Sequence, residues 1–329
     1  MDKTPWFSHW RIWLIGLIVL VASLLLLQYF QPAPFGKNPG NAGEAKAKVW
    51  EAPDTASIPK NAEGLVIRYG RDLIVRTSYY LGPHGKVMNV SNGMNCQNCH
   101  LEAGTKVFGN NYASVASTYP LFRPRSGRLE SIEKRINDCL ERSLNGSPLD
   151  SLSQEMRAMV AYIQWLGQDV PKGQKAAGSG LIELAWLARA ASPTIGKKIY
   201  LQKCQICHGN KGEGLKISKE GPYIYPPMWG ENSFNTAAGL YRISNFARYV
   251  RANMPNGATF EKPILSEEEA WDIAAYVVSM PRPQRVYARD WPNIFLKPVD
   301  HPFAPYADNF SEQQHKYGPF TTILEASRK

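Results

Sequence analysis

Two five-residue motifs of the form Cys-x-x-Cys-His constrain this chain more than any other feature. The first is Cys96-Gln-Asn-Cys99-His100 and the second is Cys204-Gln-Ile-Cys207-His208. Two thiols three positions apart can add to the two vinyl groups of one porphyrin, and the histidine that follows is left beside the iron. With 5 cysteines and 6 histidines in 329 residues, chance produces one such motif in about one sequence in a thousand. The pair therefore predicts two covalently bound haem c groups, with His100 and His208 as proximal iron ligands.

The alternative use of two Cys-x-x-Cys pairs is a structural zinc site. Zinc does not require a histidine directly after each pair, whereas both pairs here have one. The haem interpretation is therefore preferred.

An apolar segment near the amino terminus predicts a membrane anchor. Residues 12–27 are almost entirely apolar, and residues 29 and 30 extend the segment to about the twenty residues that a bilayer span requires. The alternative is a cleaved signal peptide, but the nearest small-x-small site, at residues 45–47, lies too far downstream. Lys3 and Arg11 favour a cytoplasmic amino terminus, and haem attachment of this kind occurs outside the cytoplasmic membrane. We therefore expect an anchored protein on the periplasmic side of that membrane.

The rest of the sequence predicts a mainly α fold with two tandem cytochrome c-like helical domains. Met159-Val-Ala-Tyr162 lines up with Ile273-Ala-Ala-Tyr276 at similar distances beyond the two haem motifs, which indicates an internal repeat. Apolar periodicity and helix-end signals predict helices over residues 62–81, 132–144, 151–166, 194–201, 240–250 and 266–280. Ser266 and Glu269 have the spacing of a capping box at the start of the last of these helices. The predicted regions are an N-terminal membrane anchor (1–31), a tether (32–58), the first haem domain (59–172), a linker (173–190), the second haem domain (191–285) and a C-terminal extension without an assigned role (286–329).

The sixth ligand of the first haem iron is unusual, because there is no histidine and no methionine between His100 and Ser151. The side chains of this half that could bind the iron are Lys106, Lys134, Cys139, Met156 and Met159. Cys139 is also the one cysteine outside the two motifs. Its alternative roles are a buried, inert thiol or an intermolecular disulfide.

The neighbours of Cys139 favour a functional role. Arg135 lies one helical turn before it and Ser143 one turn after it, so the three share a helix face. Arg125 lies just upstream. Guanidinium groups beside a thiol favour the thiolate, which is the better iron ligand and the better nucleophile, and they can hold an oxyanion through two hydrogen bonds. The other two arginines between residues 120 and 130 fit a solvated basic face.

Met254 is the preferred sixth ligand of the second haem iron. It stands in the loop 252–257, between a periodic segment and the closing helix, which is where small cytochromes c place their methionine. Met228 is the second choice, with packing against the haem as its alternative role. The remaining candidates are Met280, Lys211, Lys216, His301 and His315.

Four segments of the chain closely resemble the dihaem thiosulfate dehydrogenases that form tetrathionate. They are Met94–Gly104, Phe108–Tyr112, Glu133–Cys139 and Tyr225–Gly230. The resemblance covers most of residues 60–285 and excludes the anchor and the extension. It implies that the first haem, held by Cys96 and Cys99, is the active site and has His100 and Cys139 as its axial ligands. It also implies oxyanion binding by Arg125, Arg135 and Ser143.

For the second haem, held by Cys204 and Cys207, the resemblance implies His208 and Met254 as axial ligands and a role in passing electrons out. Some relatives carry a lysine directly before this methionine and exchange ligands. Here the position is Asn253, which argues against such a switch.

The implied reaction couples two thiosulfate ions to tetrathionate with release of two electrons, and the same site can in principle run in reverse. The formal charge of +10 fits a protein that attracts anions or an anionic membrane surface. The implied partners are thiosulfate or tetrathionate, an electron-acceptor cytochrome and the membrane, and nucleic acid is not expected. Two rival functions remain at this point: a dihaem electron carrier, which should offer a methionine in each half, and a SoxA-type cytochrome that oxidises a sulfur-carrier protein.

Overall fold

Helices form nearly all of the regular structure in the computed structural model, which describes residues 48–327. The helices with regular dihedral angles are α1 (Ala62–Val75), α2 (Thr77–Leu81), α3 (Val115–Thr118), α4 (Ile132–Arg142), α5 (Gln154–Leu166), α6 (Pro193–Lys203), α7 (Gln205–His208), α8 (Ile243–Asn253), α9 (Glu267–Ser279), α10 (Glu312–Tyr317) and α11 (Phe320–Ala326). Two small antiparallel hairpins accompany them, β1 (Leu121–Arg123) with β2 (Arg128–Glu130) and β3 (Leu215–Lys216) with β4 (Tyr223–Tyr225).

Each haem domain contains one close crossing between its first and last helix. A Cβ atom added to Gly70 of α1 would lie 1.9 Å from the carbonyl oxygen of Ala158 in α5. A Cβ atom added to Gly196 of α6 would lie 1.8 Å from the carbonyl oxygen of Asp272 in α9. Because only glycine permits backbones to approach this closely, both domains depend on a glycine at the same kind of crossing. This supports the internal repeat predicted from the sequence.

The closing helix α9 has the ends that the sequence predicts. Ser266 and Glu269 form a capping box, in which the Ser266 Oγ accepts from the Glu269 N–H at 3.1 Å and the Ser266 N–H donates to Glu269 Oε2 at 2.8 Å. The helix ends at Met280, where Pro281 follows. The capping-box prediction is confirmed.

The predicted helix over residues 62–81 is divided into α1 and α2. The break falls at Arg76, whose φ of −124° and ψ of 38° are not helical. At this point the first haem motif docks: the Cys96 N–H donates to Thr77 Oγ1 at 2.9 Å, and Asn95 Oδ1 accepts from the Ser78 N–H at 2.8 Å. Long-range bonds to the haem motif stabilise a new helix start, which a periodic pattern alone does not reveal.

The segment 173–190, predicted as a linker, is bonded to the first haem domain. The Gly178 carbonyl accepts from the Phe108 N–H and from Asn111 Nδ2, both at 2.9 Å, and the Gly180 carbonyl accepts from the Asn110 N–H at 3.0 Å. The segment therefore holds in place the loop that follows the first haem motif.

The C-terminal tail, residues 286–327, packs on the second haem domain and contains α10 and α11, which the sequence did not predict. Phe320 is fully buried against Trp186 and Trp271, with ring centroids 5.0 and 5.8 Å away. Asp300 is also fully buried and accepts from Arg242 Nε at 2.9 Å. The tail is thus part of the core of this half.

None of the helices between residues 48 and 327 combines the length and the apolar character that a membrane crossing requires. The anchor predicted for residues 1–31, together with residues 32–47 of the predicted tether, lies outside the residues that the structure describes.

Candidate active site

The first haem motif opens into a cavity, here called the catalytic cavity, lined by Cys96, Cys99 and His100. The Nδ1 atom of His100 lies 2.5 Å from the carbonyl oxygen of Asn110. This contact fixes the ring and leaves Nε2 for a metal ion. Burial lowers the pKa of His100 to about 4, so the imidazole is neutral at pH 7, which is the form that binds iron.

The turn after His100 has an unusual backbone. Glu102 and Ala103 have φ angles of 56° and 60°, in the left-handed region that few residues other than glycine adopt. Gly104 follows with a φ of 83°, and a Cβ there would lie 2.1 Å from the Tyr112 ring. This turn brings Tyr112 onto His100, with stacked rings whose centroids are 4.5 Å apart. Strained backbone at a ligand position is typical of functional sites.

Helix α4 forms another part of the wall of the catalytic cavity. Arg135, Cys139 and Ser143 all line the cavity, so the structure brings together three of the four residues predicted for the active site. The helix begins at a conventional cap, where Ser131 Oγ accepts from the Lys134 N–H. The charge of the neighbouring Cys139 raises the pKa of Arg135 more than burial lowers it. The guanidinium group therefore lies within electrostatic reach of the sulfur.

Met159 also lines the catalytic cavity and is fully buried. When the two repeats are aligned, Met159 corresponds to Ile273, which lines the cavity of the second domain. Because isoleucine cannot bind iron, the Ile273 position can only pack, and we assign the same packing role to Met159. Besides the two cysteines of the motif, Cys139 and Met159 are the sulfur-containing side chains that line this cavity.

The two lysine candidates for the first haem iron, Lys106 and Lys134, lie outside the lining of the catalytic cavity. Lys106 lines the cavity of the second haem motif, and Lys134 donates to Asp138 at 2.7 Å. Met156 is buried and does not line the catalytic cavity.

Arg125 is set apart from the other predicted substrate residues. It lines a neighbouring cavity with residues of the C-terminal tail, and its Nη1 donates to the carbonyl of Ala237 at 3.1 Å. Burial and the charges of Arg142 and Arg135 lower the pKa of Arg125 to about 10. Arg125 thus lies within electrostatic range of Arg135 and outside the lining of the catalytic cavity.

The second haem motif opens into a cavity of about 580 Å³, here called the relay cavity. Its lining includes Cys204, Cys207, His208, Met228 and Met254. The Nδ1 atom of His208 lies 2.9 Å from the carbonyl oxygen of Pro226. Met228 is only two residues from this carbonyl, so its segment approaches from the histidine side. Met254 comes instead from the end of α8, which favours it as the ligand on the opposite side.

The remaining candidate ligands lie outside the lining of both haem cavities: Met280, Lys211, Lys216, His301 and His315. His315 is held by the Val299 carbonyl at 2.7 Å and by Asp308 at 2.9 Å, so it has a structural role in the tail.

The two haem cavities adjoin one another. Gln97 and Asn98, which lie between the two cysteines of the first motif, line the relay cavity. Tyr249 Oη donates to the Asn98 carbonyl at 3.2 Å, and Asn253 Nδ2 donates to the Phe108 carbonyl at 3.0 Å. Helix α8 therefore joins the second haem domain directly to the first haem motif.

Several supporting residues were not identified from the sequence. Asn110 and Pro226 supply the carbonyl groups that hold the histidines, and Tyr112 stacks on His100. The signal was present, because all three lie within the segments Phe108–Tyr112 and Tyr225–Gly230. Tyr249 lies outside those segments and carries no comparable signal.

These cavities fit haem better than zinc. The two cysteine pairs line separate cavities and cannot share one ion, and the cysteines form no disulfides. Within residues 48–327, no group of three or more His, Cys, Asp or Glu side chains is placed to hold a metal ion. Each cavity is instead lined by the two thiols of its motif, a fixed histidine and two further sulfur-containing side chains, which are Cys139 and Met159 in the first and Met228 and Met254 in the second.

Comparison with known proteins also identifies two cytochrome c domains in the chain. Residues 86–171 match the family described as SoxA/TsdA, cytochrome c domain, and residues 194–281 match the cytochrome c family. Fold and site together define a mainly helical c-type cytochrome with two haem domains. The thiosulfate dehydrogenase of Psychrobacter arcticus is 39% identical over 242 residues, which cover 73% of this chain and 71% of that protein. The thiosulfate dehydrogenase of Allochromatium vinosum is 37% identical over 247 residues, covering 74% and 88%. The chain belongs to the thiosulfate dehydrogenase family.

A solved structure agrees with this assignment. The thiosulfate dehydrogenase TsdBA from Marichromatium purpuratum, in its as-isolated form, superposes with a TM-score of 0.66 at 29% sequence identity. The match covers 73% of this chain and 51% of that one, so this chain spans about half the length of that structure.

Proposed function

We propose that this protein is a thiosulfate dehydrogenase that joins two thiosulfate ions into tetrathionate and passes two electrons to an acceptor. The observation that carries the proposal is the single cavity that Arg135, Cys139 and Ser143 on α4 line together with His100. The family membership of the chain supports it.

The chain's residues fit two covalently bound haem groups. Cys96 and Cys99 would form the thioether bonds of one group, with His100 and Cys139 as its axial ligands. The second group would be attached to Cys204 and Cys207, with His208 and Met254 as its axial ligands. When bound, the two haems supply one-electron acceptors for the two electrons of the reaction.

The reaction must bring two dianions together, and their repulsion opposes this. The Arg135 guanidinium and the Ser143 hydroxyl line the cavity that contains the sulfur of Cys139, and Arg125 adds a second positive charge nearby. Fixed cationic donors in a buried cavity lower the energy of such a charged transition state. A planar guanidinium group also matches the oxygens of a sulfonate group with two hydrogen bonds.

Cys139 supplies the nucleophile. When it is not bound to iron, its Sγ thiolate forms an S–S bond with the outer sulfur of one thiosulfate and keeps that sulfur, giving the adduct Cys139 Sγ–S–SO₃⁻, and the two electrons released would pass to the haem acceptors. The outer sulfur of a second thiosulfate then attacks the sulfur that carries this sulfonate group. The bond to Cys139 breaks, which releases tetrathionate and restores the thiolate. Run in reverse, the same two steps reduce tetrathionate.

The family and the sequence support a proposal for the partners and the location. A periplasmic or membrane-bound cytochrome would accept the electrons at the second haem domain. There the side chain of Ile206, which lies between Cys204 and Cys207, is 86% exposed. We place the protein on the periplasmic side of the cytoplasmic membrane and propose that residues 1–31 anchor it there.

The test is stopped-flow reduction of the holoprotein by thiosulfate, with tetrathionate quantified. We expect wild type to be reduced and to form tetrathionate, while Cys139→Ser retains both haems and loses at least about 10³-fold in rate. Met159→Leu is the matched control, because it alters a second sulfur-containing side chain of the same cavity. The Met159→Leu variant should keep both its thiolate-type haem spectrum and its activity. A wild-type protein that thiosulfate cannot reduce would refute the proposed activity and favour an electron-carrier role. A fully active Cys139→Ser variant would refute the assignment of Cys139 as the nucleophile.

A further inference from the structure

A second cavity, here called the tail cavity, lies beside the catalytic cavity and has a volume of about 290 Å³. Three parts of the chain form it: the β1–β2 hairpin through Arg125, the second haem domain through residues 236–242, and the tail through residues 284–305. The hairpin and the tail meet directly, because the Trp291 N–H donates to the Arg125 carbonyl at 2.6 Å. Of the residues that line it, the reaction proposed above uses only Arg125.

The tail cavity has an excess of positive charge. Arg125, Arg242, Arg285 and Lys297 line it, against the single carboxylate of Asp290. That carboxylate is already bonded to Arg142 at 2.7 and 2.9 Å, and it lies 3.9 Å from the Nε of Arg125. Arg242 is neutralised by Asp300. Within the described residues, no carboxylate lies at salt-bridge distance from Arg285 or Lys297.

Uncompensated cations of this kind are costly when they are partly buried. Lys297 Nζ donates only to the carbonyls of Phe303 and Pro305, at 2.5 and 2.8 Å. His301 also lines the cavity, and burial together with the charges of Lys297, Arg125 and Arg242 lowers its pKa to about 3. The Nε1 of Trp291 and the Nδ1 of His301 are buried without hydrogen-bond partners. An anion in the cavity would meet both cations and donors.

We propose that the tail cavity binds a sulfonate group: that of the second thiosulfate, which becomes the distal sulfonate of tetrathionate. This inference rests on the proposed function. The two cavities are neighbours, because Asp290 of the tail cavity is bonded at 2.7 and 2.9 Å to Arg142, which directly precedes Ser143 of the catalytic cavity on α4. Tetrathionate carries one sulfonate at each end, so it matches two separate cationic cavities better than a single one. The first sulfonate would bind beside Arg135 and Ser143, and the second beside Arg285 and Lys297.

The test is calorimetric titration of oxidised holoenzyme with tetrathionate, together with steady-state thiosulfate oxidation by the same preparations. Arg285→Gln removes an exposed charge and should raise the Kd for tetrathionate about threefold. Lys297→Gln removes a half-buried donor and should raise it about tenfold. Lys297→Arg keeps the charge and should stay within about twofold of wild type. The matched control is Arg289→Gln, an exposed arginine of the same tail segment that does not line the cavity.

The inference is supported if Arg285→Gln and Lys297→Gln weaken tetrathionate binding while Arg289→Gln and Lys297→Arg do not. If all four variants bind tetrathionate as wild type does, and wild type converts thiosulfate, the tail cavity is not a sulfonate site and the proposed function stands. If wild type forms no tetrathionate from thiosulfate, the proposed function itself is overturned, and this inference with it.

Discussion

Asp290 in the C-terminal tail accepts two hydrogen bonds from Arg142 on α4, from Nη1 at 2.7 Å and from Nη2 at 2.9 Å. Arg142 lies three residues after Cys139, and its side chain is only 7% exposed. A residue far along the chain thus neutralises a buried cation beside the catalytic cavity. The guanidinium group also stacks on Tyr287, at 3.9 Å from the ring centroid, so two tail residues hold it.

Removing the Asp290 carboxylate should destabilise the fold. Asp138 still accepts from Arg142 Nε at 3.3 Å in Asp290→Asn, so the variant loses the bonds to one of two carboxylates, and we expect a loss of about 2 kcal/mol in the free energy of unfolding of the holoprotein. Denaturant unfolding measures this loss. The double variant Arg142→Met with Asp290→Leu removes both charges and should recover most of it. Equal stability of Asp290→Asn and wild type would show that the ion pair contributes nothing.

Arg135→Lys keeps the positive charge of the catalytic cavity and loses the planar guanidinium group. Because a lysine cannot make two parallel hydrogen bonds to one sulfonate, kcat/KM for thiosulfate should fall about 10²-fold. The control is Arg128→Lys on the exposed hairpin, which should change the rate less than about twofold. Steady-state kinetics of both holoenzymes test this prediction. Equal kcat/KM values for Arg135→Lys and wild type would show that the guanidinium group does not bind substrate.

Met254→Leu should remove the sixth ligand of the second haem and leave the first haem unchanged. Methionine ligation has its own optical and magnetic signature, and the loss of that signature identifies the ligand. Met228→Leu is the comparison, because Met228 lines the same cavity from the histidine side. If Met228→Leu and not Met254→Leu abolishes the signature, the assignment is reversed.

Gly70→Ala should destabilise the first haem domain by about 2 kcal/mol, since the added methyl group meets the Ala158 carbonyl at 1.9 Å. Gly239→Ala is the matched control, because a Cβ there has no atom within 4 Å. Thermal or denaturant unfolding of the two holoproteins distinguishes them. Similar losses in both would mean that the helix crossing tolerates a wider separation.

The stability of the protein should fall in acid partly through Asp300. Burial opposes its ionisation, but the Arg242 guanidinium and the bonds from Ser244 outweigh burial and lower the pKa of Asp300. A carboxylate with a lowered pKa contributes stability above the unfolded value of about 3.9, and this contribution is lost as the pH falls below it. Between pH 5 and 3, wild type should therefore lose more stability than Asp300→Asn. Parallel curves for the two proteins would contradict this.

The sequence was most informative where chemistry fixes spacing. The Cys-x-x-Cys-His motifs identified both haem sites, and Ser266 with Glu269 identified a helix start, because each depends on residues a few positions apart. The break at Arg76 was not predictable, since it depends on bonds from Asn95 and Cys96 far along the chain. Helical spacing placed Arg135, Cys139 and Ser143 together, and family resemblance added Arg125.

The role of the tail was hidden for a related reason. Its contacts with Arg142 and Arg242 join residues 148 and 58 positions apart. Its two helices are short, with six and seven residues, and too brief to show periodicity. Pairings of this kind are a property of the folded chain, and local patterns do not contain them.

The bond between Tyr249 and Asn98 has a kinetic consequence. Asn98 lies between the cysteines that attach the first haem and also forms part of the wall around the second, so no hinge separates the two redox centres. Electrons would therefore cross the molecule where the first haem motif and the second haem domain are already in contact, and no docking step would precede this transfer. A viscous solvent would slow the arrival of substrate and the departure of the reduced partner. Electron transfer inside the protein would proceed at an unchanged rate.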